Sequence, residues 1–376
     1  MSKPKILIAS MLKPLKDPRA FYRLGISLRE TNKYRINIIG FSLKKEFGDK
    51  NLKFTSLPVR SRKGFSRIFS AFAFFRIYRK ERPALSIICT WELIPFAVFG
   101  KWLYGGKLVY DVQENYVQNI KYNRTMQGVQ RVFARSLLIA VEQSGKHFID
   151  HFIFSEQCYI KEKPSFLPFT VLENKFHTEQ VSLFRQKKLN YPGIHMLISG
   201  TITEVYGTME ALQWFLELQK KYPEIHLHVI GHCPLPDFGI ALRKEAEGAV
   251  NVVLELENRP VAYPLILEAY ANADLVLLPY MQLPSIREKI PSKLYECMAI
   301  GVPFLHSPNP LWTSIAEKYQ AGLEVDFSKR DHGGEIMAKL LSTTFYIKAF
   351  PYEAFWAHKE KAQLQDLVNR LINSKH

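Results

Sequence analysis

Short apolar, β-branched runs alternate along the chain with longer stretches whose hydrophobic residues recur every three or four positions. The first half reads as strands over 5–10, 35–41, 85–89, 107–111 and 151–155, with helical periodicity over 18–31, 66–80, 93–103 and 125–146. The strand runs are apolar throughout, as strands covered on both faces must be, which predicts a parallel sheet between helical layers. The pattern then restarts. Strands are expected over 194–199, 225–230, 250–255, 274–279 and 302–306, and helices over 208–221, 262–271 and 291–299. A polar stretch from Glu173 to Gly193 reads as the connection between the halves, and a last helix, 353–373, is expected to pack back across it.

The fold class expected is α/β, with two doubly wound Rossmann-like domains. The first covers 1–172, the second 173–350, and a closing segment, 351–376, returns toward the first. Two such domains in tandem would turn the carboxyl ends of their sheets to a central cleft, where doubly wound sheets bind ligands. A chain of 376 residues is long enough for two cores.

Composition narrows the class. Hydrophobic residues at 47% and charged residues at 23% exclude a disordered chain, a collagen-like repeat and a disulfide-stapled miniprotein. Cys89, Cys158, Cys233 and Cys297 form no C-x-x-C pair, so they read as reduced, buried small side chains of a cytosolic protein, with no zinc site. The opening segment 5–10 is too short for a signal sequence, and no run approaches the roughly 18–20 apolar residues of a membrane span.

Charge adds a partner. Residues 1–110 carry 23 basic and 6 acidic side chains, whereas the rest of the chain is close to neutral. Such a one-sided field points to a polyanion: an anionic membrane surface, a phosphorylated substrate or nucleic acid. The densest part, 60–82, holds eight basic residues and one acid, with Phe65, Ile68, Phe69, Phe72 and Phe75 at spacings of three and four. That is the pattern of a basic amphipathic helix at a bilayer interface, and equally of a helix packing its aromatics inward. Nucleic acid is the weaker reading, because no recognised binding motif accompanies the charge.

The sharpest candidate chemistry lies in EKIPSKLYE, 288–296, which leaves a loop and opens a helix; Pro291 suits the first helical position and Gly301 a C-terminal cap. One carboxylate at the mouth, Glu288, and one two turns deeper, Glu296, could accept sugar hydroxyls. The first-turn N–H groups and the Lys293 ammonium could meet a diphosphate. A second anion-ready turn is Ser199-Gly200-Thr201, where a strand ends on glycine. His226 and His228 share a strand face but lack a third ligand, and no Asp-x-Asp is present, so no metal is expected. Asp17-Pro18-Arg19 and Glu92 read either as cleft-lining groups or as a helix start and a structural carboxylate.

These segments together resemble the GT-B-fold retaining glycosyltransferases of family 4, the "group 1" enzymes. The resemblance rests on the Glu-x7-Glu pair followed by CMAIGVP over 297–303, and on KLVYDVQEN over 107–115, ISGT over 198–201, VIG over 229–231 and ADLVLLP over 273–279, in order along nearly the whole chain. It implies that Glu288 contacts the donor sugar and that Glu296 holds the nucleotide ribose. Gly200, Thr201, Ser292, Lys293 and Leu294 would bind the donor around its phosphates, with Gly231 and Arg259 near the base. Where members often carry a histidine, this chain has Gln113, which can hydrogen-bond a hydroxyl but takes no proton. Where many carry a basic residue, a lysine and a glycine, it has Thr201, Tyr206 and Pro291. The expected function is sugar transfer from a nucleotide-diphosphate sugar such as a UDP- or GDP-sugar, without a metal or other cofactor. The acceptor would be a glycan or lipid-linked molecule at the cytoplasmic, inner face of the membrane. A nucleotide-sugar epimerase and an inactive GT-B binding protein are the alternatives.

Overall fold

The computed structural model describes residues 3–42, 46–57, 66–121, 128–177 and 186–374. The chain forms two compact units, one from residues 1–177 and 356–376 and the other from 178–355. Residues 60–65 of the basic stretch, 125–127 of the expected fourth helix and 178–185 of the expected connection lie outside the described residues.

The first unit is built on a parallel sheet of seven strands: β1 (Lys5–Pro14), β2 (Arg35–Phe41), β3 (Leu52–Ser56), β4 (Leu85–Ile88), β5 (Lys107–Val112), β6 (His151–Phe154) and β7 (Phe169–Val171). Their spatial order is β3-β2-β1-β4-β5-β6-β7, the doubly wound order with one strand added. The two-residue period of a strand sends alternate side chains of β1 into separate cores. Leu7, Ala9 and Met11 meet Phe74, Tyr78 and Ala97 from the helices α2 and α3 described below. Ile6 and Ile8 face Leu24 and Leu28, and there the final helix, Glu360–Asn373, adds Leu364, Leu367 and Val368. Trp356 donates its indole N–H to Ser27 Oγ at 2.9 Å, and the buried Lys175 ammonium reaches Glu360 at 2.6 Å. Strands β3 and β7 escape the sequence pattern because each lies at a sheet edge, only part-covered, and needs no continuous apolar run.

Around this sheet run α1 (Ile26–Glu30), α2 (Ser66–Glu81), α3 (Ile94–Tyr104), α4 (Tyr116–Lys121), α5 (Gly128–Gly145) and α6 (Tyr159–Glu162). The helix expected over 18–31 begins as a wider π-helical stretch, Pro18–Gly25, before α1. Asp17 caps it, its carboxylate accepting from the backbone N–H groups of Arg19 and Ala20 at 2.9 Å each. Asp17 therefore serves the helix start.

Arg19 is buried, at 3% exposure, and donates from Nε to Asp111 Oδ2 at 2.8 Å and from Nη2 to Oδ1 at 2.6 Å. Its remaining Nη1 donates to the Leu172 carbonyl and Asn174 Oδ1. One guanidinium thus ties the segment after β1 to β5 and to the chain beyond β7. It is an internal clamp, not the cleft-lining cation that the sequence also allowed.

The second unit opens with the short strand β8 (Lys187–Lys188). Its main sheet holds β9 (His195–Thr201), β10 (His226–His232), β11 (Val252–Glu257), β12 (Leu275–Leu278), β13 (Phe304–His306) and β14 (Gly322–Glu324). The order β11-β10-β9-β12-β13-β14 is again that of a doubly wound sheet, parallel throughout. A last strand, β15 (Thr344–Phe345), pairs antiparallel with β8. The connecting helices are α7 (Thr208–Lys221), α8 (Pro236–Glu245), α9 (Tyr263–Ala271), α10 (Ser292–Ile300), α11 (Pro310–Tyr319) and α12 (Gly333–Ser342). Trp214, Phe215, Tyr270 and Trp312 are fully buried among them.

All four cysteines are free and buried, and no described helix is long and apolar enough to cross a membrane.

Two stability predictions follow from the first unit. Asp111→Ala leaves the Arg19 guanidinium buried without its counter-charge and is expected to cost about 3–5 kcal/mol, read as a lower urea midpoint. Burial, with Arg370 adding, pulls His151 down to about 4, and burial with Arg23 does the same to His177. Both rings are neutral when folded and bind protons more readily when unfolded, near an ordinary value of about 6.5. Their contribution is therefore complete above about pH 6.5 and is lost as the pH falls toward 4. Urea titrations across that window should show the decline, and His151→Gln should flatten it.

Candidate functional site

A doubly wound sheet opens a crevice where its strand order reverses, which in the second unit falls between the carboxyl ends of β9 and β12. Of the residues expected to carry chemistry, Gly200, Gly231 and Lys293 meet at these strand ends. Strand β9 closes on Ser199, Gly200 and Thr201, and β10 brings Gly231 into register with Gly200. The two backbones approach so closely that a Cβ on Gly231 would lie 1.9 Å from the Gly200 carbonyl oxygen. Gly200 adopts φ of +100°, a conformation that disfavours any side chain. A Cβ there would sit 2.5 Å from both Cε and Nζ of Lys293, so the lysine head group lies directly across the Gly200 backbone.

Lys293 is delivered by α10. Pro291 is the N-cap of this helix, not its first helical residue as the sequence pattern suggested, and no side chain caps the exposed first turn. Ser292 and Lys293 are half-buried at this end, while Leu294 is fully buried and anchors the helix to the core. One turn on, Glu296 is 5% exposed and accepts from the Tyr263 hydroxyl of α9 at 3.4 Å. Burial, with Glu296 next, pushes the Tyr280 phenol up; burial also raises Tyr270, which meets Ser199 Oγ at 3.2 Å. Both phenols stay protonated around neutral pH. Gly301 ends α10 with φ of +78°, the expected C-terminal cap.

Glu288 sits in the turn before α10 and is exposed. Its loop is held from below by α11. Asn309 donates its amide to Gln282 Oε1 at 2.6 Å and to the Arg287 carbonyl at 2.9 Å, and Trp312 donates its indole N–H to the Lys289 carbonyl at 2.7 Å. The Asn309 Oδ1 meanwhile caps α11 through the Leu311 and Trp312 N–H groups. Asn309 and Trp312 hold this loop, a role that the sequence pattern did not reveal, although Asn-Pro before an amphipathic run is a helix-start signal.

Behind Gly200, the turn at Gly207 is pinned to the end of β12. A Cβ at Gly207 would lie 1.8 Å from the Pro279 carbonyl oxygen. The Met281 N–H donates to Val205 O at 3.1 Å, and the Tyr206 ring lies 5.2 Å from that of Tyr280. Tyr206 is thus an aromatic anchor for the loop. Thr201 is exposed at the end of β9. Arg259 is exposed as well, and with Glu257 and Glu268 it lines a cavity of about 520 Å³ beside β10 and β11 whose walls include neither Lys293 nor Glu296.

Gln113 belongs to the first unit. It is 7% exposed; its Nε2 donates to Asp111 Oδ2 at 2.7 Å and its Oε1 accepts from the Lys13 ammonium. Both ends of the amide are engaged within that unit. Burial disfavours the Lys13 ammonium, but Asp17, Glu114 and Asp111 around it outweigh the effect and hold its pKa above the ordinary value. Glu92 falls in a short turn, Trp91–Leu93, after β4. The rings of His226 and His195 stack at 4.6 Å, and His228 lies 3.4 Å from Glu255. Among the described residues no group of three or more metal-ligating side chains gathers.

The family model "Glycosyl transferases group 1" matches residues 181–349. Solved structures resemble the chain over nearly its full length. Sucrose-phosphate synthase from Thermosynechococcus elongatus has a TM-score of 0.64 at 14% identity, covering 99% of this chain and 95% of that one. Anabaena HepE, solved with UDP and glucose, has a TM-score of 0.63 at 11% identity over 99% and 100% of the two chains. A putative UDP-N-acetylglucosamine 2-epimerase from Listeria monocytogenes has a TM-score of 0.60 at 14% identity, covering 98% of each. No curated protein sequence matches the chain. The fold is that of the GT-B glycosyltransferases. The residues that the family model matches fall within the second unit.

The support under Glu288 can be separated from helix capping. Asn309→Ser keeps a side-chain oxygen able to cap α11 and removes the amide N–H donors without burying a charge. Unfolding stability should fall by about 1–3 kcal/mol, the scale of the lost hydrogen bonds, while amide exchange in the 282–289 loop accelerates. Unchanged exchange would show that the loop holds its place without Asn309.

Proposed function

We propose that the chain transfers a sugar from a nucleotide-diphosphate sugar, a UDP- or GDP-sugar, to a glycan or lipid-linked acceptor with retention of anomeric configuration. The observation that carries this reading is the Lys293 ammonium lying across the side-chain-free face of Gly200, beside the uncapped N-terminus of α10. That arrangement offers a cation and a helix N-terminus that no side chain caps where a diphosphate would lie, at the sheet's ligand crevice. Glu296, buried and touched by the Tyr263 hydroxyl, suits a ribose diol. Glu288, exposed on a braced loop, suits the donor sugar.

The chemistry is leaving-group stabilisation. As the glycosidic C–O bond breaks, negative charge develops on the departing diphosphate, and Lys293 with the first-turn N–H groups meets it in a preorganised site. The acceptor hydroxyl forms the new bond and gives its proton to that diphosphate. No protein base is required, which accords with Gln113. That residue, fixed between Lys13 and Asp111, would position the acceptor and take no proton. Ser292, Leu294, Thr201 and Gly231 complete the donor site, with Arg259 toward the base. The reaction needs no metal and no further cofactor. The excess of basic residues in the first unit supports a site of action at the anionic, cytoplasmic face of a membrane.

The epimerase alternative shares the fold, and product analysis with donor alone separates it: a new sugar epimer formed without acceptor would replace transfer. The test of the donor site is thermal stability against UDP, GDP, ADP and their sugar conjugates. A ligand at a hundredfold excess over its Kd should stabilise the protein by about 2.7 kcal/mol. Glu296→Ala should abolish the shift while remaining folded, and Lys293→Met should weaken diphosphates far more than nucleosides. Stabilisation by a nucleotide sugar that Glu296→Ala leaves unchanged would overturn the assignment. Nucleotide binding without transfer to any lipid or glycan extract would instead indicate an inactive binding protein.

A further inference from the structure

The first unit exposes an apolar surface that its fold does not use. Helix α2 buries Ala71, Phe74 and Tyr78 and turns Phe69, Phe72, Arg76 and Arg79 to solvent, a single stripe of positions three and four apart. Helix α3 packs beside it, with Phe96 against Phe72 at 5.2 Å and Phe99 against Phe75 at 5.3 Å. It exposes Phe99, Trp102 and Leu103, and Trp102 is 77% exposed. Helix α5 packs on α3, its Gly145 lying so near Ile94 that a Cβ would meet that side chain at 2.3 Å. Along α5, Val129, Val132, Phe133 and Leu137 form a second apolar stripe facing water, with Phe133 70% exposed. Large exposed aromatics on three neighbouring helices of one unit exceed what a surface facing only water requires.

The charges on the same helices select the occupant. Arg76, Arg79, Lys80 and Arg135 are exposed. The only acidic residues in α2, α3 and α5 are Glu81, paired with Lys5 and Lys53, and Glu142, buried beside Lys163. Aromatic side chains interleaved with unpaired-sign basic residues, and no exposed acid to repel a lipid phosphate, match the interface of an anionic bilayer.

We propose that α2, α3 and α5 form a membrane-docking face that seats the first unit on anionic lipid, with Trp102, Phe133 and Phe69 entering the interface and Arg76, Arg79, Lys80 and Arg135 meeting phosphate head groups. This deepens the membrane part of the function proposed above. It widens the candidate surface from one basic helix to three helices, of which α3 and α5 lie outside the charged stretch seen in the sequence. Vesicle binding and nucleotide binding are measured separately, so either can fail without the other.

The test uses the full chain with phosphatidylcholine vesicles, with and without phosphatidylglycerol. Cosedimentation should occur with the anionic vesicles and weaken steeply with salt. R76Q/R79Q/K80Q should lower partitioning by about a hundredfold, and W102S/F133S should lower it by roughly tenfold or more. Trp214, Trp312 and Trp356 are fully buried and Trp91 half-buried, so quenching by brominated lipid reads Trp102. W102F should retain vesicle binding and lose the quenching. Absence of binding to anionic vesicles, equal binding of the two multiple variants and the parent, or Trp102 left unquenched on bound protein would each overturn the proposal. So would a concentration-dependent dimer that W102S/F133S returns to monomer without any vesicle binding, which would assign the face to a second copy of the chain.

Discussion

The candidate donor site depends on one constraint: at the carboxyl ends of β9 and β10 there is no room for side chains. Gly231 lies against the carbonyl of Gly200, and Gly200 is turned into a backbone conformation that other residues resist. This bare strand end lets the Lys293 head group lie flat on the backbone. A side chain there would lift the cation away from the N–H groups beside it. Everything else in the site is arranged to keep α10 pointed at that spot. Leu294 roots the helix in the core, Gly301 ends it, and the loop before it is held by Asn309 and Trp312 from α11.

The two units treat the same topological position differently. In the second, the strand ends leave a lysine, hydroxyls and an uncapped helix start available to a ligand. In the first, the corresponding charges are spent on one another. Arg19 grips Asp111, Asp111 receives Gln113, and Gln113 receives Lys13. Such a network fixes side chains firmly, because each buried partner would be costly to leave alone. It is a rigid cluster, and the glutamine in it has no proton to take or give at neutral pH.

Much of this was legible in the sequence because the signals are local. Continuous apolar runs marked the central strands of both sheets, and EKIPSKLYE marked the entrance and body of α10. What failed to show was the work of edges and of distance. Strands β3, β7 and β14 are short and lie at or beside sheet edges, so half-covered residues blur their pattern. Arg19 and Asp111 are 92 positions apart and their pairing leaves no periodic trace. Asn309 announces a helix start but not the loop it braces, since its amide reaches 22 and 27 residues back. The aromatic stripe of α2 showed as a pattern whose direction the sequence could not decide. The structure divides it, with Phe74 and Tyr78 inward and Phe69 and Phe72 outward.

The division of the chain between the units also has a consequence for biosynthesis. The first unit is completed by residues 356–376, which supply Trp356, Leu364, Leu367 and Val368 to one of its two cores. During synthesis, at about 5–20 residues per second, every residue of the second unit leaves the ribosome before the first unit can close. A nascent chain therefore carries a sheet with one apolar face only part-covered, by Leu24 and Leu28 and their neighbours, for the whole time the second unit is being made. That interval, not the finished protein, is when a chaperone or a premature lipid contact would matter most to this fold.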